Sequence, residues 1–471
     1  MNSKQKNTKS ILKRKWMLRL FASISALAFI LWIKSSGSEK QSLSPPSSKE
    51  NSLRKLTQQL NTLSTYLPLD EIARQLKNNV PNISCSLNSP DKDRKLKFDP
   101  DTRLNVSGLI SNQGYPVEEY SVLTEDGFIL GIQRIPHGRS NKYLYGPRHV
   151  VFLQHGLEGS ATNWVENQAN DSLGFLLADA GFDVWLGNVR GNTYSLKHRT
   201  LKPTDKEFWK WSWDEMALYD LPAMVNFALN ISNQQQLFYV GHSQGTLIAF
   251  AALSKNRDLN RKVKMFFALA PVTTVSNMSS PIRFIADYGL AKPIVDAFIM
   301  LHIYSFLPDL PIFNVLGDTI CDNDNSVILC RSVIFVIAGY DCQRMNQSRI
   351  QVYVSNNPAG TSLFNLNHFA QMVLSGEFSM YDHGMLGNLL KYKQARPPNY
   401  IIENIQTPVA IFWGENDILA DPTDVRKLRS KLKNLVYDSY IEHYHHLDFI
   451  WSVDAADAVY KDIIKLMNKH I

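Results

Sequence analysis

The sequence predicts an α/β protein built on a mostly parallel, doubly wound sheet. Short, continuously apolar runs recur along the chain, which is typical of strands buried on both faces of a parallel sheet. Longer stretches with helical periodicity alternate with them over short connections, which indicates repeated strand–helix units. With 471 residues, 44% of them hydrophobic and 20% charged, the chain is long enough for a large buried core.

The predicted elements begin with an antiparallel hairpin. Residues 117–123 alternate in polarity and lead through the turn signal Thr124–Gly127 into a second strand at Phe128–Arg134. Apolar strands follow at Val150–Leu153, Val184–Leu186, Phe238–Val240, Met265–Leu269, Val409–Trp413 and Val436–Ile441. Helices are predicted at Leu173–Ala180, Met216–Leu229, Gln244–Leu253, Asp424–Leu432 and Ala455–Met467.

One connection is far longer than the others. About 140 residues separate Leu269 from Val409, whereas a crossover needs only a few tens of residues. This insertion after the sixth strand is unusually apolar in places and predicts a cap over the carboxyl edge of the sheet, where such folds keep their sites. The expected divisions are a core over 104–271 and 401–471, a cap over 272–400, and a low-complexity linker or stalk over 34–103.

The N-terminal segment 1–33 has the pattern of a secretory signal. Basic residues between Lys4 and Lys15 precede the uncharged run Leu20–Ile33. That run is longer than many signal-peptide cores and shorter than a full span, so a cleaved signal and a membrane anchor both remain open. Residues 1–60 carry twelve basic and two acidic side chains, so this N-terminal part accounts for all of the formal net charge of +7. The remainder is nearly neutral, which argues against a nucleic-acid partner.

Two further patterns favour the lumen of the secretory pathway. Six glycosylation sequons are usable only by a lumenal chain, and they begin at Asn82, Asn105, Asn170, Asn230, Asn277 and Asn346. The four cysteines are too few for a disulfide scaffold. Cys321 and Cys330 would close a short loop if oxidised, although their spacing fits buried free thiols equally well.

The pentapeptide Gly241–Gly245 carries the candidate nucleophile, Ser243. An apolar strand precedes it and a helical run follows it, which predicts a strand-to-helix turn with the serine hydroxyl exposed above the sheet. The flanking Gly241 and Gly245 fit such a turn because neighbouring backbone comes too close for side chains. The pattern indicates a serine hydrolase.

A serine hydroxyl needs a base and an acid that orients the base, and in this arrangement they follow the nucleophile in the order acid, then histidine. Asp417 comes just after the strand Val409–Trp413 and is the expected acid. Asp421 and Asp424 compete with it, but they fit the beginning of a helix better.

Three histidines follow the last predicted strand, namely His443, His445 and His446, and spacing alone does not choose the base among them. A zinc site fits poorly because no carboxylate or cysteine cluster accompanies them, so no metal is expected. Two backbone amides should form the oxyanion hole, those of Gln244 after the nucleophile and of Leu157 after the first long parallel strand. His155 precedes the nucleophile and is interpreted as a structural hydrogen-bonding residue.

The longest motifs resemble the acid lipase family, which includes lysosomal acid lipase and gastric lipase. They are Phe152–Leu157, Ala178–Trp185, Asn188–Thr193, Gly241–Gly245 and His446–Trp451, within a likeness that covers roughly 104–468. The resemblance implies an α/β-hydrolase fold, selects His446 as the base, supports Asp417, and implies a disulfide between Cys321 and Cys330 within a cap and lid. Departures are Cys342 and Cys85, which match no family cysteine, Ser452 in place of an expected glycine, and the long N-terminal stretch.

The expected function is hydrolysis of a lipid ester, triacylglycerol or cholesteryl ester, through an acyl-enzyme and without a cofactor. The expected partner is therefore a lipid ester substrate at a membrane or droplet interface. Two alternatives stay open, because a fold does not fix a substrate. One is a carboxylesterase or thioesterase for smaller esters, and the other is a non-catalytic binding module.

Overall fold

The computed structural model describes residues 99–140, 146–280, 282–287, 291–300, 302–306, 339 and 344–471. The predicted signal or anchor segment, nearly all of the predicted linker, the sequon at Asn82, and both Cys321 and Cys330 lie outside the described residues.

A nine-stranded sheet forms the centre of the fold. Its main strands are β1 (Glu118–Leu123), β2 (Phe128–Ile135), β3 (Val150–Gln154), β4 (Asp183–Gly187), β5 (Leu237–His242), β6 (Val263–Leu269), β7 (Val409–Gly414) and β8 (Leu435–Ile441). They lie in the order β1-β2-β4-β3-β5-β6-β7-β8, and the two-residue strand Lys197–His198 pairs with β2. The first two strands are antiparallel to each other, β2 is antiparallel to β4, and the pairs from β4 to β8 are parallel.

Helices cover the sheet and occupy much of the described part of the long connection between β6 and β7. They are α1 (Val106–Asn112), α2 (Leu173–Asp179), α3 (Trp213–Glu215), α4 (Leu221–Ser232), α5 (Gln244–Lys255), α6 (Arg257–Lys262), α7 (Arg283–Asp287), α8 (Ala291–Met300), α9 (Ile350–Asn356), α10 (Leu363–Ser375), α11 (Gly384–Tyr392), α12 (Pro422–Lys431), α13 (Asp448–Trp451) and α14 (Lys461–Lys469). Within the described ranges, none of the helices combines the length and the apolar character needed to cross a membrane.

The inner strands are buried from end to end, which explains why they read as unbroken apolar runs. Every residue of β3, β4, β5 and β7 is buried. Helices on both faces exclude water from these strands, so no polar face is needed. The predicted strands of the sheet are confirmed, with ends that differ by a residue or two.

Two features differ from the pattern-based expectation. The predicted helix Met216–Leu229 opens with the π-helical turn Met216–Asp220 before α4, and the predicted helix from Ala455 likewise opens with the π-helical turn Ala456–Tyr460. Apolar periodicity does not distinguish an inserted residue in a helical turn, because the apolar face on either side is preserved.

Ordered structure is described a few residues before the expected boundary at Leu104. Residues Pro100–Arg103 form a 3-10 turn, with Asp101 buried. Its partner is the buried guanidinium of Arg349, whose Nη1 lies 2.8 Å from Asp99 Oδ2 and 2.7 Å from Asp101 Oδ2. A buried arginine needs paired carboxylates, so this ion pair ties the first described residues to the connection between β6 and β7.

Candidate active site

Ser243 lies on the sharp turn between β5 and α5. Its backbone has φ 52° and ψ −118°, a conformation that residues other than glycine rarely adopt. Such strain costs about 1–3 kcal/mol and persists only where the surroundings enforce it. Here the Ser243 amide donates to the carbonyl of Leu269 at 3.0 Å, at the end of the neighbouring strand β6. The turn therefore holds the serine side chain at the carboxyl edge of the sheet.

The two glycines of the pentapeptide are required by packing. A Cβ on Gly241 would lie 2.7 Å from the carbonyl carbon and oxygen of Gly245. A Cβ on Gly245 would overlap the carbonyl oxygen of Gln154 on β3. The turn can approach the neighbouring strand this closely only without side chains at either position.

The structure brings Ser243, His446 and Asp417 together, although 203 and 29 residues separate the histidine from its two partners. The distance from His446 Nε2 to Ser243 Oγ is 2.7 Å, and the distance from His446 Nδ1 to Asp417 Oδ2 is 2.9 Å. The other two histidines are directed elsewhere. His443 is partly exposed, with Nε2 4.0 Å from a carboxylate oxygen of Asp454, and the His445 ring lies against Gly339, where an added Cβ would be 2.9 Å from His445 Nδ1.

Asp417 is a buried acid whose carboxylate is fixed on both sides. Its Oδ1 accepts hydrogen bonds from the amides of Leu419 at 2.9 Å and Ala420 at 2.8 Å. Burial alone would raise the pKa of Asp417, but the charge and hydrogen bond of His446 and the two amides outweigh it and lower that pKa. The carboxylate therefore stays ionised and holds a proton on His446 Nδ1, which leaves Nε2 to accept the hydroxyl proton of Ser243.

The two segments that carry the predicted oxyanion donors lie beside the serine. Gln244 is the first residue of α5, where helix geometry leaves the amide without an intrahelical acceptor. On the other side, the amide of Gly159 donates to the carbonyl of Gly156 at 3.2 Å, which closes a turn with Leu157 in its second position. A Cβ on Gly156 would be 3.1 Å from Ser243 Cβ, so this turn packs directly against the serine. Both predicted oxyanion donors thus come from segments in contact with Ser243.

Two further histidines in this region are buried and serve the scaffold. Burial lowers the pKa of His155 to about 4, and its Nε2 accepts a hydrogen bond from the amide of Val189 at 3.3 Å. Burial, with the neighbouring His446, lowers the pKa of His242 to about 3. A neutral His242 donates from Nε2 to the carbonyl of His446 at 2.9 Å and so anchors the loop that carries it.

Glu158 was not singled out from the sequence, although it follows Leu157 directly. Its φ is 58°, and its Oε2 accepts a hydrogen bond from the amide of Gly360 at 3.0 Å. The other carboxyl oxygen, Oε1, is buried and has no hydrogen-bond partner in the described part of the chain. Burial raises the pKa of Glu158 well above its usual value. Its contact with Gly360, 202 positions along the chain, leaves no local pattern by which it could have been found.

Asn365 was also missed. It lies on α10, and its Nδ2 donates to the side-chain oxygen of Gln244 at 2.7 Å. That oxygen belongs to the residue after Ser243, so the helix contacts the proposed site through a buried amide pair.

The predicted sequons differ in how their side chains are used. Asn105, Asn170 and Asn230 are exposed, although the side-chain oxygen of Asn105 also caps α1. Asn277 Nδ2, the atom that a glycan would modify, donates to Asp424 Oδ1 at 2.8 Å. Asn346 is half-buried and caps the turn Gln347–Arg349 through its side-chain oxygen.

Comparisons with known proteins agree with this architecture. A model described as "alpha/beta hydrolase fold" matches residues 149–294, and one described as "Partial alpha/beta-hydrolase lipase region" matches residues 106–168. Gastric triacylglycerol lipase of Rattus norvegicus is 46% identical over 372 residues, covering 78% of this chain and 92% of the rat protein. Lipase member K and lysosomal acid lipase/cholesteryl ester hydrolase, both of Homo sapiens, are each 46% identical, covering 79% of this chain and 92% of each relative.

The α/β-hydrolase fold and these relatives define the class of the protein, a carboxylic ester hydrolase. More specifically, the chain belongs to the acid lipase family that the relatives represent, and it is a lipid ester hydrolase, as its motifs predict.

Proposed function

We propose that the protein hydrolyses triacylglycerol or cholesteryl ester through an acyl-enzyme formed on Ser243. The single observation that carries the proposal is the unbroken chain of hydrogen bonds from Ser243 Oγ through the His446 ring to Asp417. As the Ser243 oxygen bonds to the ester carbonyl carbon, its proton passes to His446 Nε2. The tetrahedral intermediate then collapses, the bond to the alcohol oxygen breaks, and His446 gives the proton to the leaving alcohol.

The second half of the reaction repeats these steps with water. His446 takes a proton from water as the water oxygen attacks the acyl carbon, and then returns that proton to Ser243 Oγ as the fatty acid leaves. Asp417 stabilises the imidazolium form of His446 in both halves but stays ionised itself. The amides of Leu157 and Gln244 donate to the carbonyl oxygen as its charge develops.

The substrate assignment is supported by the relatives, among which a gastric triacylglycerol lipase and a lysosomal acid lipase/cholesteryl ester hydrolase are equally similar to this chain. We propose the same two ester classes here, met at a membrane or droplet surface. We also propose the lumen of the secretory pathway as the location, which the segment 1–33 and the exposed sequons support.

The test is a comparison of rates on emulsified trioleoylglycerol, emulsified cholesteryl oleate and a short water-soluble ester. We expect at least one long-chain substrate to be hydrolysed faster than the soluble ester, and Ser243→Ala to lose all three activities. A preference for the soluble ester would instead favour a general esterase and contradict the proposed substrate class. Full activity of Ser243→Ala would contradict the proposed mechanism.

A further inference from the structure

Helix α11 presents its apolar side chains to solvent. The exposed fractions of Met385, Leu386, Leu389 and Leu390 are 65%, 74%, 44% and 77%. Positions i, i+1, i+4 and i+5 lie on one side of a helix, so the four side chains form a single outward stripe. A surface helix normally buries such a stripe against the core, which makes this orientation the reverse of the usual one.

Polar groups on the opposite side hold the helix in this orientation. Asn388 is 1% exposed, and its Oδ1 accepts a hydrogen bond from the amide of His383 at 2.9 Å. Its Nδ2 donates to Asp382 Oδ1 at 2.7 Å and to the carbonyl of Ala395 at 3.0 Å. A buried amide with three hydrogen bonds would be costly to expose, so the helix cannot simply turn over and bury its leucines.

Exposed cations follow the apolar stripe. Lys391, Lys393 and Arg396 are all exposed, and Asp382 is the sole acidic residue between positions 382 and 396. The carboxylate of Asp382 is already engaged by Asn388. A helix with an apolar face and basic residues beside it suits the boundary of an anionic lipid surface, where apolar side chains enter the acyl region and cations meet the headgroups.

The helix is also connected to the candidate active site. Lys391 Nζ forms an ion pair with Glu215 Oε1 at 3.5 Å. The next residue, Met216, has its sulfur 3.6 Å from Gln244 Nε2, beside Ser243. A surface that bound lipid through α11 would therefore lie two side-chain contacts from the residue next to the nucleophile.

We propose that α11 is a lipid-docking surface, formed by Met385, Leu386, Leu389 and Leu390 with the basic residues Lys391, Lys393 and Arg396, and that it binds anionic lipid assemblies. The purpose of this docking, delivery of lipid esters to Ser243, rests on the proposed function. A lipid surface fits better than a protein partner because no polar or charged side chain interrupts the four apolar ones, and so none would specify a partner's position.

The test uses the full chain and a local probe, so that binding through residues 1–33 is not mistaken for binding through α11. Leu390→Trp places a fluorophore on the lipid-docking surface, and Leu374→Trp places one on α10 at an apolar position that is 60% exposed. Vesicles of phosphatidylserine and brominated phosphatidylcholine quench tryptophan that enters the acyl region. We expect at least about twofold more quenching for Leu390→Trp than for Leu374→Trp, and less of it at high salt because the basic residues contribute. Equal quenching of the two variants would overturn the proposal.

A second experiment measures the effect of the lipid-docking surface on hydrolysis rather than its insertion into lipid. Leu386→Ser/Leu390→Ser should lower the ratio of the rate on emulsified trioleoylglycerol to the rate on a short soluble ester by at least about fivefold, whereas Leu374→Ser should leave that ratio within about twofold of wild type. An unchanged ratio in the double variant would contradict the proposal. A double variant that no longer self-associated but still bound vesicles would also contradict it, because that result would identify α11 as a protein interface. If the wild type hydrolysed no ester but Leu390→Trp were still quenched, the proposed function would fail and the lipid-docking surface would stand.

Discussion

The turn that carries Ser243 and the helix α11 show opposite relations between local sequence and burial. Around Ser243, glycines occupy the positions where two backbone segments are in contact, so the sequence of the pentapeptide itself indicates a tight turn. In α11 the sequence indicates a helix with an apolar stripe, yet the hydrogen bonds of the buried Asn388 hold that stripe towards solvent. Periodicity therefore predicts the element in both regions, but only the tertiary contacts decide which side faces the core.

The difference also has a functional meaning. Burying a single Leu or Met side chain is worth about 1.5–3 kcal/mol, so four exposed ones on one short helix forgo a substantial stabilisation. Large exposed apolar patches on a folded protein mark interaction sites. The Ser243 turn loses folding stability through backbone strain, and α11 loses it because four apolar side chains remain exposed. Both are expected where structure is retained for function.

The largest expected effect is loss of the base. His446→Ala should reduce kcat/KM on a soluble ester by about 10⁴-fold or more, because His446 Nε2, 2.7 Å from Ser243 Oγ, is placed to take the Ser243 proton. His443→Ala is the matched control, and its exposed side chain predicts a change of less than about threefold. Similar losses in both variants, measured at equal folded concentration, would leave the choice of His446 without support.

Removal of the charge on Asp417 should be nearly as severe. Asp417→Asn should lower kcat by about 10³–10⁴-fold, because the amide can donate to His446 Nδ1 and favour the wrong tautomer. Asp421→Asn is the control, since Asp421 caps α12 and accepts from the amide of Thr423 at 2.7 Å. The measurement is the steady-state rate of both variants across pH. Equal rates for the two variants would refute the assignment of Asp417 as the acid that orients His446.

A smaller effect, on stability, tests the packing of the nucleophile turn. Gly245→Ala should destabilise the fold by about 3 kcal/mol or more, because the added Cβ meets backbone that cannot move aside. Gly384→Ala, at the start of α11, has φ 75° but no atom within 4 Å of the new Cβ, so it should cost only about 1 kcal/mol. Urea denaturation measures both, and a smaller cost at Gly245 than at Gly384 would contradict the account of the turn.

The smallest effect concerns pH. The pKa of Glu158 is raised, so the folded chain holds a proton that the unfolded chain releases above about pH 4.5, and stability falls as pH rises from there towards the raised value. Glu158→Gln keeps an oxygen for the amide of Gly360 and removes the titration. The melting temperature of the variant relative to wild type should therefore rise by a few degrees between pH 4.5 and pH 8. A difference independent of pH would contradict the burial of this carboxyl group.

The sheet was predictable because strands buried on both faces leave a mark in consecutive residues. The position of Ser243 on a strand-to-helix turn was predictable because the strand, the turn and the helix are contiguous in the sequence. The residue pattern did not predict which histidine is the base, because it left three neighbouring histidines equivalent. Only the resemblance to the acid lipases selected His446, and the hydrogen bond between His446 and Ser243 favours the same choice. Glu158, Arg349 and Asn388 act through partners whose position only the folded chain reveals, so no sequence pattern pointed to them.

Covalent labelling tests whether Ser243 is an activated nucleophile. The full chain and Ser243→Ala would be treated with a fluorophosphonate, which modifies serines activated by an adjacent base, and the adduct would be located by peptide mapping. We predict one adduct, on Ser243, and no labelling of the variant. Equal labelling of wild type and Ser243→Ala, or an adduct on another serine, would contradict it.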